Sequence, residues 1–266
     1  MSWKKWESKS TLITGASSGL GAEFARQLAK RKCPLLITAR RVERLQQLKE
    51  ELISLGSPRV EWVEADLNSS GAATFLRQHA ESIDFKVEGL INNAGLGHYA
   101  YFENHNKEKI DNLIHVNISA VVHLAHEFLP IIKKAPQGLI LNVASIASFI
   151  PLPRLALYSA SKAFVSNWSM GLNQELKDSN ILSHVLCPGP TESEFMQVAA
   201  NNPIASAKGK MESQPVIEGS LNAVDNKKMI YISGGKNKIM AFLTRLIPYS
   251  FLVQLADKFN NRPVAK

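Results

Sequence analysis

Residues 14–21 read Thr14-Gly15-Ala16-Ser17-Ser18-Gly19-Leu20-Gly21 and join a strand-like stretch to a helical pattern. Glycine tolerates dihedral angles that other residues avoid, and it lets the backbone approach a ligand closely. A pyrophosphate could therefore sit on the unpaired N–H groups at the start of the following helix. Small-residue turns before helices are common, so this stretch alone is also compatible with a plain connection.

On both sides of this turn, short apolar runs alternate with longer amphipathic ones. Runs rich in leucine and β-branched residues predict seven strands: Thr11–Thr14, Pro34–Thr38, Val60–Val63, Gly89–Asn92, Leu139–Val143, Ile181–Leu186 and Met229–Ile232. Apolar residues at three- and four-residue steps predict helices: Gly21–Lys32, Val42–Leu55, Gly71–Ser82, Lys107–Ile132 and Tyr158–Lys177. Strands separated by helices indicate an α/β fold, a Rossmann-like doubly wound parallel sheet with helices on both faces.

The composition excludes several classes of protein. A chain of 266 residues with 45% hydrophobic and 20% charged residues is globular, not disordered, collagen-like or coiled-coil. It has no linker or internal repeat, so we expect one domain over residues 1–266. The two cysteines, Cys33 and Cys187, are too few for a disulfide framework or an unaided zinc site, and we expect both to be buried in a protein of a reducing compartment.

The sequence carries no signal for secretion or membrane insertion. The N-terminus lacks the apolar core of a signal peptide, and Arg245, Pro248 and Asp257 interrupt the most apolar late stretch. We therefore expect a cytoplasmic protein. The histidines, including His123 and His126 on one predicted helix, show no grouping with carboxylates that would indicate a metal site.

Two arginines follow the second predicted strand. The end of this strand approaches the adenosine ribose in dinucleotide-binding sheets, about 20 residues beyond the glycines. Arg40 and Arg41 occupy that place, where an acidic residue would indicate NAD. A guanidinium binds phosphate through two parallel hydrogen bonds, so this pair favours a ribose 2′-phosphate and hence NADP(H). Without the glycine turn, the same residues would indicate only a solvated helix start.

A tyrosine and a lysine four residues apart suggest proton transfer. In Tyr158-Ser-Ala-Ser-Lys162 this spacing places the phenol and the ammonium on one face of a helix. A nearby positive charge is expected to lower the pKa of the phenol, making it a usable general acid or base. Ser145 follows the strand Leu139–Val143, where it could donate a hydrogen bond to a substrate carbonyl. An ordinary helix start with an unrelated Tyr and Lys remains the alternative.

Taken together, the motifs resemble those of the short-chain dehydrogenase/reductase family, and the C-terminal segment resembles the extensions of NADP-dependent DltE-type members and of lipid- or steroid-directed members. The matching pieces, in the family's order and approximate spacing, are Thr14 to Gly21, Asp66-Leu67, Asn92-Asn93-Ala94-Gly95, Asn117, Ser145, Tyr158-x-x-x-Lys162 and Pro188-Gly189. They span most of the chain.

The resemblance implies a catalytic role for four residues. Tyr158 would exchange a proton with the substrate oxygen, which Ser145 would orient. Lys162 would hold the nicotinamide ribose and lower the pKa of the phenol, and Asn117 would anchor a water that links Lys162 to solvent. A mid-helix break is the plainer interpretation of Asn117.

The resemblance also implies which residues contact NADP(H). Thr14, Gly15, Ser17, Ser18, Gly19, Leu20 and Gly21 would surround the phosphates, with Arg40 and Arg41 at the 2′-phosphate. Asp66 and Leu67 would meet the adenine, and Asn93, Ala94 and Gly95 would pass under its ribose. Pro188, Gly189 and Thr191 would border the nicotinamide, together with Tyr158 and Lys162. A strand-ending turn is the plainer interpretation of Pro188-Gly189.

These roles imply an NADPH-dependent oxidoreductase that transfers hydride between nicotinamide and a ketone, an aldehyde or a secondary alcohol, without a metal. The alternative is a non-catalytic NADP-binding sensor or scaffold, which would not need both Tyr158 and Ser145. A nucleic-acid binder is suggested only by the net charge of +8, and no basic patch interleaved with aromatic residues supports it.

Two segments are expected to select the substrate: residues 147–157 and the irregular loop 191–215. Glu192 and Glu194 in the loop would disfavour an anionic group there. The apolar members of both segments indicate a hydrophobic substrate, although they could instead pack only against one another: Phe149, Ile150, Leu152, Leu155, Phe195 and Met196.

The C-terminal segment 236–259 is apolar and basic, and Pro248 should divide it into two short helices. Residues 1–50 and 227–266 each carry a net charge of +7 and residues 51–226 carry −6, so the positive charge belongs to the two ends. The C-terminal segment could contact an anionic membrane, cover the substrate or join two subunits. In the family, helices equivalent to 107–132 and 158–177 form a dimer contact, so we expect a homodimer or homotetramer.

Overall fold

The computed structural model describes residues 4–195, 199 and 210–259. Its seven strands form one parallel sheet in the order β3-β2-β1-β4-β5-β6-β7. Their bounds are β1 Thr11–Thr14, β2 Leu35–Ala39, β3 Val60–Glu64, β4 Gly89–Asn92, β5 Gly138–Val143, β6 Ile181–Cys187 and β7 Ile230–Ile232. Every predicted strand is present, and each differs from its expected bounds by no more than one residue at either end.

Helices connect the strands. Within the described residues they are α1 Gly19–Lys30, α2 Val42–Ser54, α3 Ala72–Ser82, α4 Lys107–Ile114, α5 Ala120–Ile132, α6 Ala156–Glu175, α7 Ser213–Asp225, α8 Gly235–Leu243 and α9 Tyr249–Phe259. The periodicity did not predict α7, which begins inside the loop expected over residues 191–215. As expected, Pro248 separates the last two helices.

Alternate residues of each strand face opposite layers of helices, because successive side chains of a strand point to opposite faces. On β1, Ile13 packs with α1, α2 and α7, whereas Leu12 packs with α3 and α5. On β5, Leu139 and Leu141 face the first layer and Ile140 the second. These two cores confirm the predicted doubly wound sheet with helices on both faces.

The predicted helix 107–132 is interrupted in the middle. Residues His115–Ser119 form a π-helical turn between α4 and α5. The extra residue in such a turn shifts the phase of the side chains that follow, and π-turns are frequent at functional sites. Asn117 lies in this turn and is fully buried.

The strand order reverses between β1 and β4. The chain runs from β1 outward to β3 on one side, and from β4 outward to β7 on the other. Ligands of open α/β sheets bind at such a switch point, outside the carboxyl ends of the strands. The ends of β1, β4 and β5 lead into residues 15–21, 93–95 and 144–149, and these connections build the site described next.

Candidate active site

The glycines of the first turn are required by its geometry. Gly15 and Gly19 have φ angles of +64° and +53°, which L side chains rarely adopt. Gly21 is required for a different reason, since a Cβ there would lie 2.3 Å from the Gly15 carbonyl oxygen and 2.5 Å from Nδ2 of Asn93. The turn is therefore closely packed, and a side chain at any of these three positions would strain it.

Thr14 and Asn93 connect the turn to the end of β4. The Thr14 hydroxyl accepts hydrogen bonds from the backbone N–H groups of Asn93 and Ala94, both at 3.1 Å. In return, the Asn93 side chain donates to the Thr14 carbonyl at 2.9 Å and to the Gly15 carbonyl at 3.2 Å. These four bonds hold two neighbouring strand ends in a fixed relation.

Arg41 reaches back from the end of β2 to the turn. Its guanidinium donates to the Ser17 hydroxyl at 3.0 Å and to the Ser18 hydroxyl at 2.8 Å. The neighbouring Arg40 is exposed. Of the two arginines, Arg41 is the one that the structure joins to the glycine-rich turn.

The same guanidinium also forms an ion pair with Glu194. One oxygen of the carboxylate lies 2.8 Å from Nη1 of Arg41 and the other 2.7 Å from Nη1 of Arg44, so Glu194 bridges the two guanidinium groups. Glu194, which was expected to disfavour an anionic group in the substrate region, thus pairs with two arginines beyond the end of β2. Arg44 was not singled out from the sequence, since nothing in a charged surface helix distinguishes it.

The remaining residues expected near the adenosine lie at neighbouring strand ends. Asp66 and Leu67 follow β3, with Asp66 exposed and Leu67 buried. The Asp66 carboxylate accepts a hydrogen bond from the backbone N–H of Asn68 at 3.0 Å. Leu20, on the first turn of α1, packs against the core.

Asn117 is buried and holds the chain beyond β4. Its amide accepts from the Leu96 backbone N–H at 2.7 Å and donates to the Leu96 carbonyl at 2.9 Å and the Ser161 hydroxyl at 3.0 Å. A Cβ on Gly95 would lie 3.3 Å from Nζ of Lys162 and 3.4 Å from Oδ1 of Asn117. The side chains of Asn117 and Lys162 therefore both border Gly95. The break in the predicted helix and the position expected to have a catalytic role are thus the same residue, Asn117.

Ser145, Tyr158 and Lys162 come together at the end of β5. Ser145 begins a short 3₁₀ turn, where its hydroxyl accepts from the Ala147 N–H at 3.1 Å, and it is hydrogen-bonded to Tyr158. The Lys162 ammonium donates to the Val143 carbonyl at 2.8 Å and lies 5.9 Å from the centre of the Tyr158 ring. The pairing of tyrosine and lysine on one helix face is thus present, with the serine beside it.

Burial sets the protonation of this group. It raises the pKa of Tyr158 to about 12, and the hydrogen bond with Ser145 acts in the opposite direction. Burial also lowers the pKa of Lys162 to about 8. The expected lowering of the phenol's pKa is reversed, because the cost of removing a charged phenolate from water outweighs the hydrogen bond with Ser145. The phenol is protonated at neutral pH.

The loop after β6 covers this group. The ring of Phe195 packs against that of Tyr158, with their centres 5.3 Å apart. Gly97 lies directly beneath, since a Cβ there would be 2.7 Å from Cζ of Phe195. The apolar ring expected to meet the substrate therefore contacts the candidate proton donor, while Met196 lies outside the described residues.

Pro188, Gly189 and Thr191 form the base of this loop. The Pro188 carbonyl accepts from the Ile146 N–H at 2.9 Å, which joins the end of β6 to the turn after Ser145. The Thr191 hydroxyl donates to the Gly189 carbonyl at 2.9 Å. Thr191 also pairs with Met211, so the two described ends of the loop lie side by side.

Among the described residues, no group of three or more histidine, cysteine, aspartate or glutamate side chains could hold a metal ion. Both cysteines are free and buried in the structure.

Comparison with known proteins identifies the family. Residues 9–203 match the family described as short chain dehydrogenase. The chain belongs to the short-chain dehydrogenase family. The resemblance drawn from the sequence motifs is thereby confirmed at the family level.

One curated relative is a fungal reductase. The chain is 32% identical over 179 residues to the very-long-chain 3-oxoacyl-CoA reductase of Schizosaccharomyces pombe; these residues are 64% of this chain and 52% of that protein. The chain thus spans about half the length of that curated relative.

Among solved structures, the short-chain dehydrogenase from Sphingobium yanoikuyae in complex with NADPH has a TM-score of 0.80 and 28% identity, covering 97% of this chain and 98% of that one. The bulky-bulky ketone specific alcohol dehydrogenase from Comamonas testosteroni has a TM-score of 0.77 and 26% identity, covering 97% and 96%.

The packing of the turn predicts opposite outcomes for two glycine substitutions. Gly21→Ala should lower the stability by about 1–3 kcal/mol, because the new Cβ meets rigid backbone. Gly171→Ala is the matched control in α6, where a Cβ meets nothing within 4 Å, and it should raise the stability by about 1 kcal/mol through helix propensity. Urea denaturation measures both, and equal changes would refute the packing argument.

The burial of Lys162 predicts a pH-dependent effect. The pKa of Lys162 is about 8 in the folded protein, against 10.5 for an ordinary lysine. Between these two pH values the unfolded chain binds more protons than the folded one, so the burial of Lys162 destabilises the protein less as the pH rises. Lys162→Met should therefore raise Tm most at pH 7 and progressively less towards pH 10. The exposed Lys30→Met is the control. A Tm gain independent of pH would contradict burial of a titrating ammonium.

Proposed function

We propose that this protein is an NADPH-dependent carbonyl reductase of the short-chain dehydrogenase family, acting on a hydrophobic ketone or aldehyde. The observation that carries the proposal is the assembly of Ser145, Tyr158 and Lys162 at the end of β5, beside the glycine-rich turn after β1. A nicotinamide cofactor supplies the hydride when bound.

The turn suits a dinucleotide. Gly15 and Gly19 add no side chains of their own to the turn, and the unpaired N–H groups at the start of α1 favour phosphate. Arg41 adds a positive charge beside the turn, where it donates to the Ser17 hydroxyl. The structure of the Sphingobium yanoikuyae relative contains NADPH. Both observations support NADP(H) over NAD(H).

Cofactor choice depends on competition at Arg41. Its ion pair with Glu194 is about 40% exposed on both sides, and such pairs contribute only about 0–1 kcal/mol. A doubly charged phosphate with three acceptor oxygens is a stronger partner than one carboxylate. We therefore expect a 2′-phosphate to displace Glu194 from Arg41 when NADP(H) binds.

The chemistry assigned to the protein is proton transfer and orientation. In reduction, the carbonyl carbon of the substrate receives two electrons as hydride, and its oxygen takes the proton of the Tyr158 hydroxyl. The substrate thereby becomes an alcohol. Ser145 donates a hydrogen bond to the same oxygen and favours the negative charge that develops on it. Because the pKa of Tyr158 is raised, the phenol holds its proton at neutral pH and suits the role of acid.

Two residues position the lysine and the chain around it. The Val143 carbonyl orients the Lys162 ammonium at 2.8 Å, and Asn117 fixes the backbone at Leu96 on the other side of Gly95. Lys162 is thereby held ready for the ribose hydroxyls. After each turnover it passes a proton to Tyr158 and regains one from solvent.

Phe195 supports a hydrophobic substrate. Its ring lies against Tyr158, so a carbonyl that accepts the phenol's proton must lie beside an apolar surface. The Comamonas testosteroni relative is an alcohol dehydrogenase specific for bulky-bulky ketones. A non-catalytic NADP-binding sensor is the second candidate, but no observation favours it, since binding alone would not require Ser145 beside Tyr158.

Self-association is part of the proposal. Ile114 at the end of α4 and Phe164 on α6 are exposed apolar residues on the elements expected to form a dimer contact. We propose a homodimer or homotetramer that buries them.

Removing the phenol hydroxyl tests the catalytic assignment. Tyr158→Phe should lower kcat for ketone reduction by at least about 100-fold, since general acid catalysis contributes about 10²–10⁴. The Kd for NADPH, measured by fluorescence titration, should change little. As a control, Tyr249→Phe removes a hydroxyl from a residue that is 72% exposed and should retain activity. Near-normal turnover by Tyr158→Phe would show that another group supplies the proton.

Exchanging the charges around Arg41 tests the cofactor assignment. Arg41→Ala should weaken NADPH at least tenfold and NADH little, whereas Arg40→Ala should have a smaller effect. Glu194→Gln should strengthen NADPH several-fold, because its neutral amide no longer pairs with Arg41 and Arg44. Calorimetric titration with both cofactors measures this. Equal losses of NADPH and NADH in Arg41→Ala would contradict a 2′-phosphate site.

A further inference from the structure

The most exposed apolar surface of the described chain lies on its last two helices. We call it the C-terminal apolar face, and its large side chains are between 44% and 72% exposed: Ile239, Phe242, Leu243, Leu246, Tyr249 and Phe251. Contiguous apolar patches of this kind on soluble proteins mark contact with another surface.

The orientation of α8 is the reverse of that in an ordinary surface helix. Ile239, Phe242 and Leu243 follow the i, i+3, i+4 spacing of a single face, and that face points to solvent; the exposed Leu246 follows in the turn after the helix. Ala241 lies on the opposite side and is only 3% exposed, so the helix is anchored to the protein by small and partly polar residues. The amphipathic pattern therefore serves a surface outside the described chain.

Basic residues flank this face on both sides. At about 100° per residue, Lys236 and Lys238 fall on opposite sides of the apolar stripe of α8, and Arg245 follows in the turn after the helix. All three are exposed. Between residues 227 and 259 the sequence holds six lysines and arginines but only one acidic residue, Asp257. Asp257 is itself ion-paired with Arg154 at 2.8 Å.

We propose that the C-terminal apolar face lies on an anionic lipid bilayer, with its large side chains in the interface and Lys236, Lys238 and Arg245 at the headgroups. An apolar face bordered by lysine and arginine is the pattern of helices that lie in the plane of a membrane surface. The helices do not cross the bilayer: no helix of the described residues is long and apolar enough to do so.

A second copy of the chain fits this face less well. A twofold contact places the same patch against itself, so Lys236, Lys238 and Arg245 would approach their own counterparts. The one acidic side chain of the segment, Asp257, is already held by Arg154. An anionic surface supplies the charge that a second copy lacks.

The docking face is joined to the proposed substrate side. Arg154, within the segment 147–157, donates to the Asp257 carbonyl at 3.1 Å and lies over the ring of Tyr101 at 5.7 Å. Its side chain is only 3% exposed, so α9 is fixed closely to this segment. Docking would thus bring a lipid phase, where apolar carbonyl compounds concentrate, next to the proposed substrate side at residues 147–157. This consequence rests on the proposed function, whereas lipid binding does not.

Vesicle sedimentation of the full chain tests the proposal. Phosphatidylcholine vesicles containing phosphatidylserine should pellet the protein, vesicles of phosphatidylcholine alone should pellet far less, and added salt should release it. The triple variant Lys236→Gln/Lys238→Gln/Arg245→Gln should weaken binding roughly 100-fold, at roughly fivefold per basic residue near an anionic surface.

A second variant isolates the apolar part. Phe242→Ser/Leu246→Ser alters side chains that are 61% and 69% exposed, so folding should be preserved, and it should lose at least about tenfold in vesicle binding. The matched control is Phe75→Ser, an exposed aromatic residue on α3, which should bind as the unaltered protein does. All variants should keep their NADPH-dependent reduction of a water-soluble ketone, which separates a failure of docking from a failure of the proposed function.

Two results would overturn the proposal. One is the absence of a difference between the two kinds of vesicle, including no binding to either. The other is a change from dimer to monomer in Phe242→Ser/Leu246→Ser, seen by sedimentation velocity, which would assign the face to a subunit contact.

Discussion

The hydrogen bonds between Thr14 and Asn93 join the ends of β1 and β4, where the strand order reverses, and the rest of the site is arranged around this junction. Parallel strands placed on either side of a switch point open a crevice between their connections. Here one connection is the glycine-rich turn and the other leads to Gly95, next to Asn117 and Lys162. A change in the relation of these two strand ends would separate the phosphate-binding turn from the proton-transferring residues.

Burial governs the chemistry of the second half of the site. In water a tyrosine and a lysine would each keep an ordinary pKa, but enclosure raises that of Tyr158 to about 12 and lowers that of Lys162 to about 8. Burial therefore separates two pKa values that are nearly equal in water. The phenol keeps its proton at neutral pH, which is the state that carbonyl reduction requires at its start.

Much of the fold follows from sequence, because alternating β-branched runs and amphipathic helices leave few ways to bury both. The motif residues Ser145, Tyr158 and Lys162 were also identified, since their spacing carries the chemistry. What periodicity could not supply were contacts across the chain: Glu194 meets Arg41 only because the loop after β6 folds over the turn after β1. Likewise, the π-helical turn at Asn117 has no signature in apolar spacing, and the direction of α8 is hidden because a hydrophobic stripe does not state which side faces solvent.

The central claim is that a hydride passes from the nicotinamide to a carbonyl carbon while this protein supplies the proton. The most direct measurement uses NADPH carrying deuterium at the transferred position of C4, a bulky apolar ketone, and mass spectrometry with NMR of the product. We expect one deuterium on the carbinol carbon of the alcohol for each NADPH oxidised, with the hydroxyl proton exchanging with water. NADPH bound without turnover across a panel of such ketones, or alcohol formed without deuterium on carbon, would contradict it.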